Sequence, residues 1–100
     1  MFHPLLLTPI AVGMALAAEA RAGTLEEGEH VRLSEEMRRF AKRNAWKGVE
    51  AAYAEMLALE AKGVALTFAA HYLAAQAARG LGDINAVHER LSRAARLEAT

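Results

Sequence analysis

One hundred residues allow a single domain, and 54% apolar content without cysteine fits a packed core that needs no disulfides. Twelve Lys plus Arg balance twelve Asp plus Glu, which excludes the basic field that draws proteins to nucleic-acid phosphates. The lack of cysteine excludes thiolate metal sites, a cysteine nucleophile and lipid attachment through sulfur, and leaves the compartment open.

The first element is an uncharged run of 14 residues from Leu5 to Ala18, too short for the roughly 20 that a bilayer span requires. Its length suits the apolar region of a secretory signal, and Ala20-Arg21-Ala22 supplies the small-x-small pattern that signal peptidase reads. Residues 1–22 are therefore expected to be a signal peptide cleaved after Ala22, which implies a periplasmic or secreted protein; without that cleavage the chain would be cytoplasmic. The segment before Leu5 lacks the Lys or Arg that normally opens a signal. The competing reading is a buried N-terminal helix, against which Pro9 and Gly13 count.

From residue 24 the pattern becomes charged and periodic, and both prolines lie behind it. Thr24-Leu25-Glu26-Glu27 fits a capping box, so a helix is expected to start there, with Val31, Leu33, Met37, Phe40 and Ala41 as its apolar stripe. Arg43-Asn44 marks a turn. Trp46, Val49, Tyr53, Met56, Leu57 and Leu59 define the inner face of a second helix, ended by Gly63 in the manner of a left-handed cap. Thr67 is the expected N-cap of a third helix that runs to Leu81 with Phe68, Leu73, Ala74, Ala77 and Ala78 inward. Gly82-Asp83 breaks and recaps the chain, and a fourth helix from Ile84 to about Leu97 turns Val87, Leu91, Ala94 and Ala95 inward.

The second and fourth helices repeat each other. At a shift of 38 residues Trp46 falls on Ile84, Val49 on Val87, Tyr53 on Leu91 and Met56 on Ala94. A repeat in this range of period signals a stacked helical array. The expected fold is all-α, two stacked antiparallel helical hairpins preceded by the apolar N-terminal segment, with repeat units at about 30–62 and 68–100. The expected core anchors are Trp46, Val49, Tyr53, Met56, Val87, Leu91 and Ala94, because they share the inner stripes.

The second unit resembles a tetratricopeptide repeat over its whole length. His71 to Asp83 is similar to the first helix and turn of that family, with Ala75 at the small crossing residue and Gly82-Asp83 at the turn, while Val87, Leu91 and Ala94 match its second helix. Ala78 replaces a common aromatic and Ala99 a usual proline. In the first unit Leu33, Met37 and Phe40 fit the first helix and Trp46, Val49, Tyr53 and Met56 the second, but Met37 is large where the family is small, and the connection Glu60–Thr67 is four residues longer than usual. The resemblance implies an α-solenoid adaptor whose first helices line a concave groove for a peptide or helix of a partner. Carried over, Ser34, Arg38, Lys42, Tyr72, Gln76 and Arg79 would line it, a set suited to an acidic or C-terminal segment. The family's carboxylate-clamp residues are not reproduced.

Catalytic patterns are missing from the sequence. His30, His71 and His88 fall on three different helices and no histidine pair has zinc-binding spacing, no serine sits in a Gly-x-Ser-x-Gly elbow, and Gly80-Leu-Gly-Asp83 does not follow a strand as a phosphate loop must. No enzyme activity, metal or cofactor is expected. The function expected is a non-catalytic protein-binding adaptor or scaffold. The alternative is an obligate structural or assembly subunit that homo-oligomerises through its C-terminal helical edge, since arrays of this type need neighbours to bury their end faces.

Overall fold

The computed structural model describes residues 25–99, and they form four helices and no strand. Helix α1 covers residues 25–42, α2 Trp46–Ala61, α3 Phe68–Leu81 and α4 Ile84–Ala99. The chain is thus all-α, built as two antiparallel hairpins, α1/α2 and α3/α4, stacked through α2 and α3. The signal-peptide reading of residues 1–22 and the capping box at Thr24 lie outside the described residues.

The two hairpins turn in the same way. Asn44 (φ +54°) and Gly82 (φ +81°) both adopt the left-handed conformation. Each is followed by an amide that reaches back five residues, Ala45 N–H to the Phe40 carbonyl and Asp83 N–H to the Ala78 carbonyl, both at 2.9 Å. This is the hydrogen bonding of a Schellman cap. The equivalent residues differ by 38 in every case, so the repeat seen in the side chains is present in the backbone. The end of α2 uses the cap once more: Gly63 is left-handed and Val64 N–H reaches the Leu59 carbonyl at 3.1 Å. Thr67 accepts from Ala70 N–H at 3.2 Å and Asp83 from Ala86 N–H at 3.1 Å, which satisfies free donors at the starts of α3 and α4.

Leu33 and Met37 from α1, Val49, Ala52, Tyr53 and Met56 from α2, and Ala70, Ala74 and Ala77 from α3 form the core. Leu66 joins them from the long connection between the hairpins, which uses its extra length to bring this side chain inside. The almost exclusive use of alanine on the inner face of α3 lets its backbone lie close to α2. At Gly80 the approach leaves no room for a side chain, since any Cβ would fall onto the Trp46 indole.

Several expected inward positions are not buried. Val31 is exposed, because it stands two residues from Leu33 and on a helix that is nearly the opposite side. Phe68 is exposed and stacks on Tyr72, with ring centroids 5.8 Å apart. Of the seven expected anchors Val49, Tyr53, Met56 and Ala94 are buried, Trp46 and Val87 are half-buried, and Leu91 is 41% exposed. Ala95 is exposed as well. The reason is common to Val87, Leu91 and Ala95: α4 packs on α3, and no further described element covers its other side.

Gly80→Ala sets helix propensity, which favours Ala by about 1 kcal/mol, against displacement of Trp46, which costs about 1–3 kcal/mol as overpacking. The expected result is a net loss of about 1 kcal/mol in urea denaturation with a red shift of Trp46 emission. A gain in stability with unshifted emission would show that Trp46 does not cover this glycine.

Candidate functional site

The packing of α1 beside α3 determines what the six expected groove residues do. Ser34 and Arg38 line a depression of about 230 Å³ with Thr67, Ala70 and Leu73 of the α3 side. One to two turns on, Ala41 and Asn44 face Gln76, Arg79 and Gly80 across a second depression of about 470 Å³. Gln76 and Arg79 then line a third, of about 340 Å³, shared with Tyr72 and with Ile84, Val87, His88 and Leu91 of α4. Ser34 and Arg38 therefore border one depression between α1 and α3, while Gln76 and Arg79, with Tyr72 at the second of the two, border a linked pair that runs from the end of α1 across α3 to the edge of α4. Lys42 is exposed, one turn beyond Arg38 on α1, and lines none of these depressions. Arg38, Lys42 and Arg79 make no ion pair among the described residues.

Beneath this surface lies a polar network that sequence reasoning missed. The Arg90 guanidinium forks onto Glu50 of α2, with Nη2 donating to Oε2 at 3.0 Å, donates through Nη1 to the Ala74 carbonyl of α3 at 2.9 Å, and lies 4.8 Å above the Tyr53 ring. The hydrogen bond to Glu50 raises the Arg90 pKa above its ordinary value. A charge-assisted bidentate pair of this kind is among the stronger polar contacts available. The available signal was spacing: Arg90 stands three and four residues from Val87 and Ala94, on the same stripe, and a charge there needs a buried partner.

His71, which has no zinc-binding partner in the sequence, is 3% exposed. Its Nδ1 lies 2.9 Å from the Tyr53 hydroxyl, and the two rings meet edge to face at 5.8 Å. Burial lowers the His71 pKa below its ordinary value and raises that of Tyr53. Both are therefore neutral at physiological pH, and the bond between them is one of core structure. His30 lies at the α1 end with its Nε2 buried and without a hydrogen-bond partner, and His88 is exposed on the open edge. Among the described residues no three His, Asp or Glu side chains are placed to hold a metal ion, and no helix is long and apolar enough to cross a membrane.

Comparison of the chain with protein-family models, with curated proteins and with solved structures gives no match in any of the three.

The depressed pKa of His71 has a definite sign. The unfolded chain takes up a proton below about pH 6.5, where the folded protein still excludes it, so stability is complete above that pH and is lost as pH falls towards the folded value. Thermal unfolding between pH 7.5 and 5.5 should show this decline, at most about 1.4 kcal/mol per pH unit for one proton. His71→Gln, which can keep a hydrogen bond to Tyr53 but cannot titrate, should flatten the slope; an unchanged slope would remove His71 as its source.

Proposed function

We propose that the chain is a non-catalytic protein-binding module of the tetratricopeptide type, which holds an acidic extended or C-terminal segment of a partner along the α1/α3 face. The observation that carries this reading is the set of depressions on α1 and α3 bordered by Ser34, Arg38, Tyr72, Gln76 and Arg79, whose guanidinium groups pair with no carboxylate among the described residues. An unpaired guanidinium beside neutral hydrogen-bonding groups is suited to a carboxylate, which it can grip bidentately. Tyr72 adds a rigid apolar wall that ends in a hydroxyl. The repeated turn and the parallel course of α1 and α3 support the resemblance noted in the sequence, and modules of that build bind along their first helices. The work is holding a partner in place. An exported setting fits the apolar leader and is part of this proposal.

Fluorescence anisotropy with a labelled Asp- and Glu-rich peptide ending in a free carboxylate tests the reading. Binding should weaken with added salt, and Arg38→Glu should reduce affinity by about tenfold or more, as expected when charge-assisted hydrogen bonds are replaced by repulsion. Arg96→Glu, on the far side of α4, should leave binding nearly unchanged. Equal losses from both changes would reduce the interaction to nonspecific charge and overturn the site.

A further inference from the structure

The two ends of the array are built differently. Residues on α3 that face α1 and α2, among them Ala70, Ala74 and Ala77, are small and apolar. At the 38-residue shift their counterparts on α1 are Arg32, Glu36 and Arg39. Arg32 pairs there with Glu36 at 2.9 Å and also with Glu29, forming a charged ladder along the helix. A polar terminal face of this kind closes a helical array. The α1 end is closed.

The α4 end is open. Ile84 and Leu91 are the repeat counterparts of Trp46 and Tyr53, which α3 covers at Gly80 and His71. They are 61% and 41% exposed, and Tyr72 beside them is 42% exposed. The edge thus presents the surface that α2 presents to a neighbouring helix, and no helix among the described residues covers it. A second copy cannot fill it head to tail, because the only corresponding face it could offer is the charged ladder of α1, whose ions would be stripped of water against Leu91 and Ile84.

The edge can, however, meet itself. On α4, Ile84, Leu91 and Glu98 share one stripe, with Leu91 seven residues from each. Arg79 shares the depression of Ile84 at one end, and Glu98 marks the other, roughly 21 Å away at 1.5 Å per residue. A two-fold axis near Leu91 exchanges the two ends, so Arg79 of each copy meets Glu98 of the other, while Tyr72 and Leu91 of both copies meet at the centre. We infer that the chain forms a closed two-fold dimer through the α3/α4 edge, with Tyr72 and Leu91 as its apolar centre and Arg79–Glu98 pairs at its two ends. Such a dimer is self-complementary and cannot grow further. Aromatic and aliphatic anchors at the centre with charges at the rim are the usual anatomy of a protein interface.

Sedimentation equilibrium of the full chain over a wide concentration range tests this. The expected species has twice the 10.8 kDa chain mass and gives way to monomer on dilution. Leu91→Glu should yield monomer at every concentration with unchanged helical circular dichroism. Arg79→Glu and Glu98→Arg should each weaken dimerisation about tenfold, and the two together should restore it, because the exchanged charges meet again. Monomer for the unaltered chain throughout, as expected if a foreign helix covers the edge, would overturn the inference. So would a mass that keeps growing with concentration, a dimer indifferent to Leu91→Glu, or a double variant no better than the singles. The two surfaces share Tyr72 and Arg79, but Leu91→Glu tests the dimer and Arg38→Glu the peptide site, so this inference and the peptide-binding reading can fail separately.

Discussion

The guanidinium of Arg90 fixes the arrangement of three of the four helices. It rises from α4, grips Glu50 on α2, caps the Ala74 carbonyl on α3 and covers the Tyr53 ring. A half-buried ion pair loses solvation on both sides, and only good geometry with additional hydrogen bonds offsets that loss. This pair has that geometry. It also sets the rotation of α4 about its axis: with Arg90 and Ala94 turned inward, Ile84, Leu91 and Glu98 must face outward. The exposed edge is therefore a consequence of the inner network and not an isolated property of a few apolar side chains. Removing either partner would leave a charge with reduced access to water among Tyr53, Ala74 and Val87.

The caps around α3 and at the start of α4 were legible in the sequence because each depends on a few adjacent residues. Thr67, Gly82 and Asp83 act as their chemistry requires, and the 38-residue shift that appeared in side-chain pattern returns in the hydrogen bonds of the two turns. Burial was less legible. Val49, Tyr53, Met56 and Ala94 are inside as the spacing implies, but periodicity tells which side of a helix is apolar and not whether anything covers it. Leu91 and Ala95 share α4 with Ala94 and differ from it only in facing the uncovered side. Leu66 illustrates the converse: it lies in a connection with no period at all, and only the tertiary arrangement brings it into the core. The Glu50–Arg90 and Tyr53–His71 contacts span 40 and 18 residues. Local pattern carries no such pairing.

For the candidate site, the resemblance implied Ser34, Arg38, Lys42, Tyr72, Gln76 and Arg79 along one groove; five of them border depressions on α1, α3 and α4, and Lys42 borders none. The contribution of α4 to that surface was not foreseen, since Val87 and Leu91 were expected in the interior. The exposure of Ile84 and Leu91 divides the surface chemically. A charged and hydrogen-bonding face lies along α1 and α3, and an apolar edge lies along α3 and α4, with Arg79 at the border of both.

The caps at Asn44 and Gly82 close within six residues of chain, so either hairpin can begin to form without help from the other. Between them lies a seam whose α3 side is lined by alanines, with the Tyr53–His71 bond and the Glu50–Arg90 and Glu60–Arg93 pairs as its polar ties. Breaking these ties would release α3 and α4 as one body. The protein thus has a built-in order of opening in which the halves part before the turns dissolve. Amides of the helix centres would then stay protected through motions that already expose the inner face of α3, and that face, rich in alanine and free of charge, would be the first interior surface the chain presents to its surroundings.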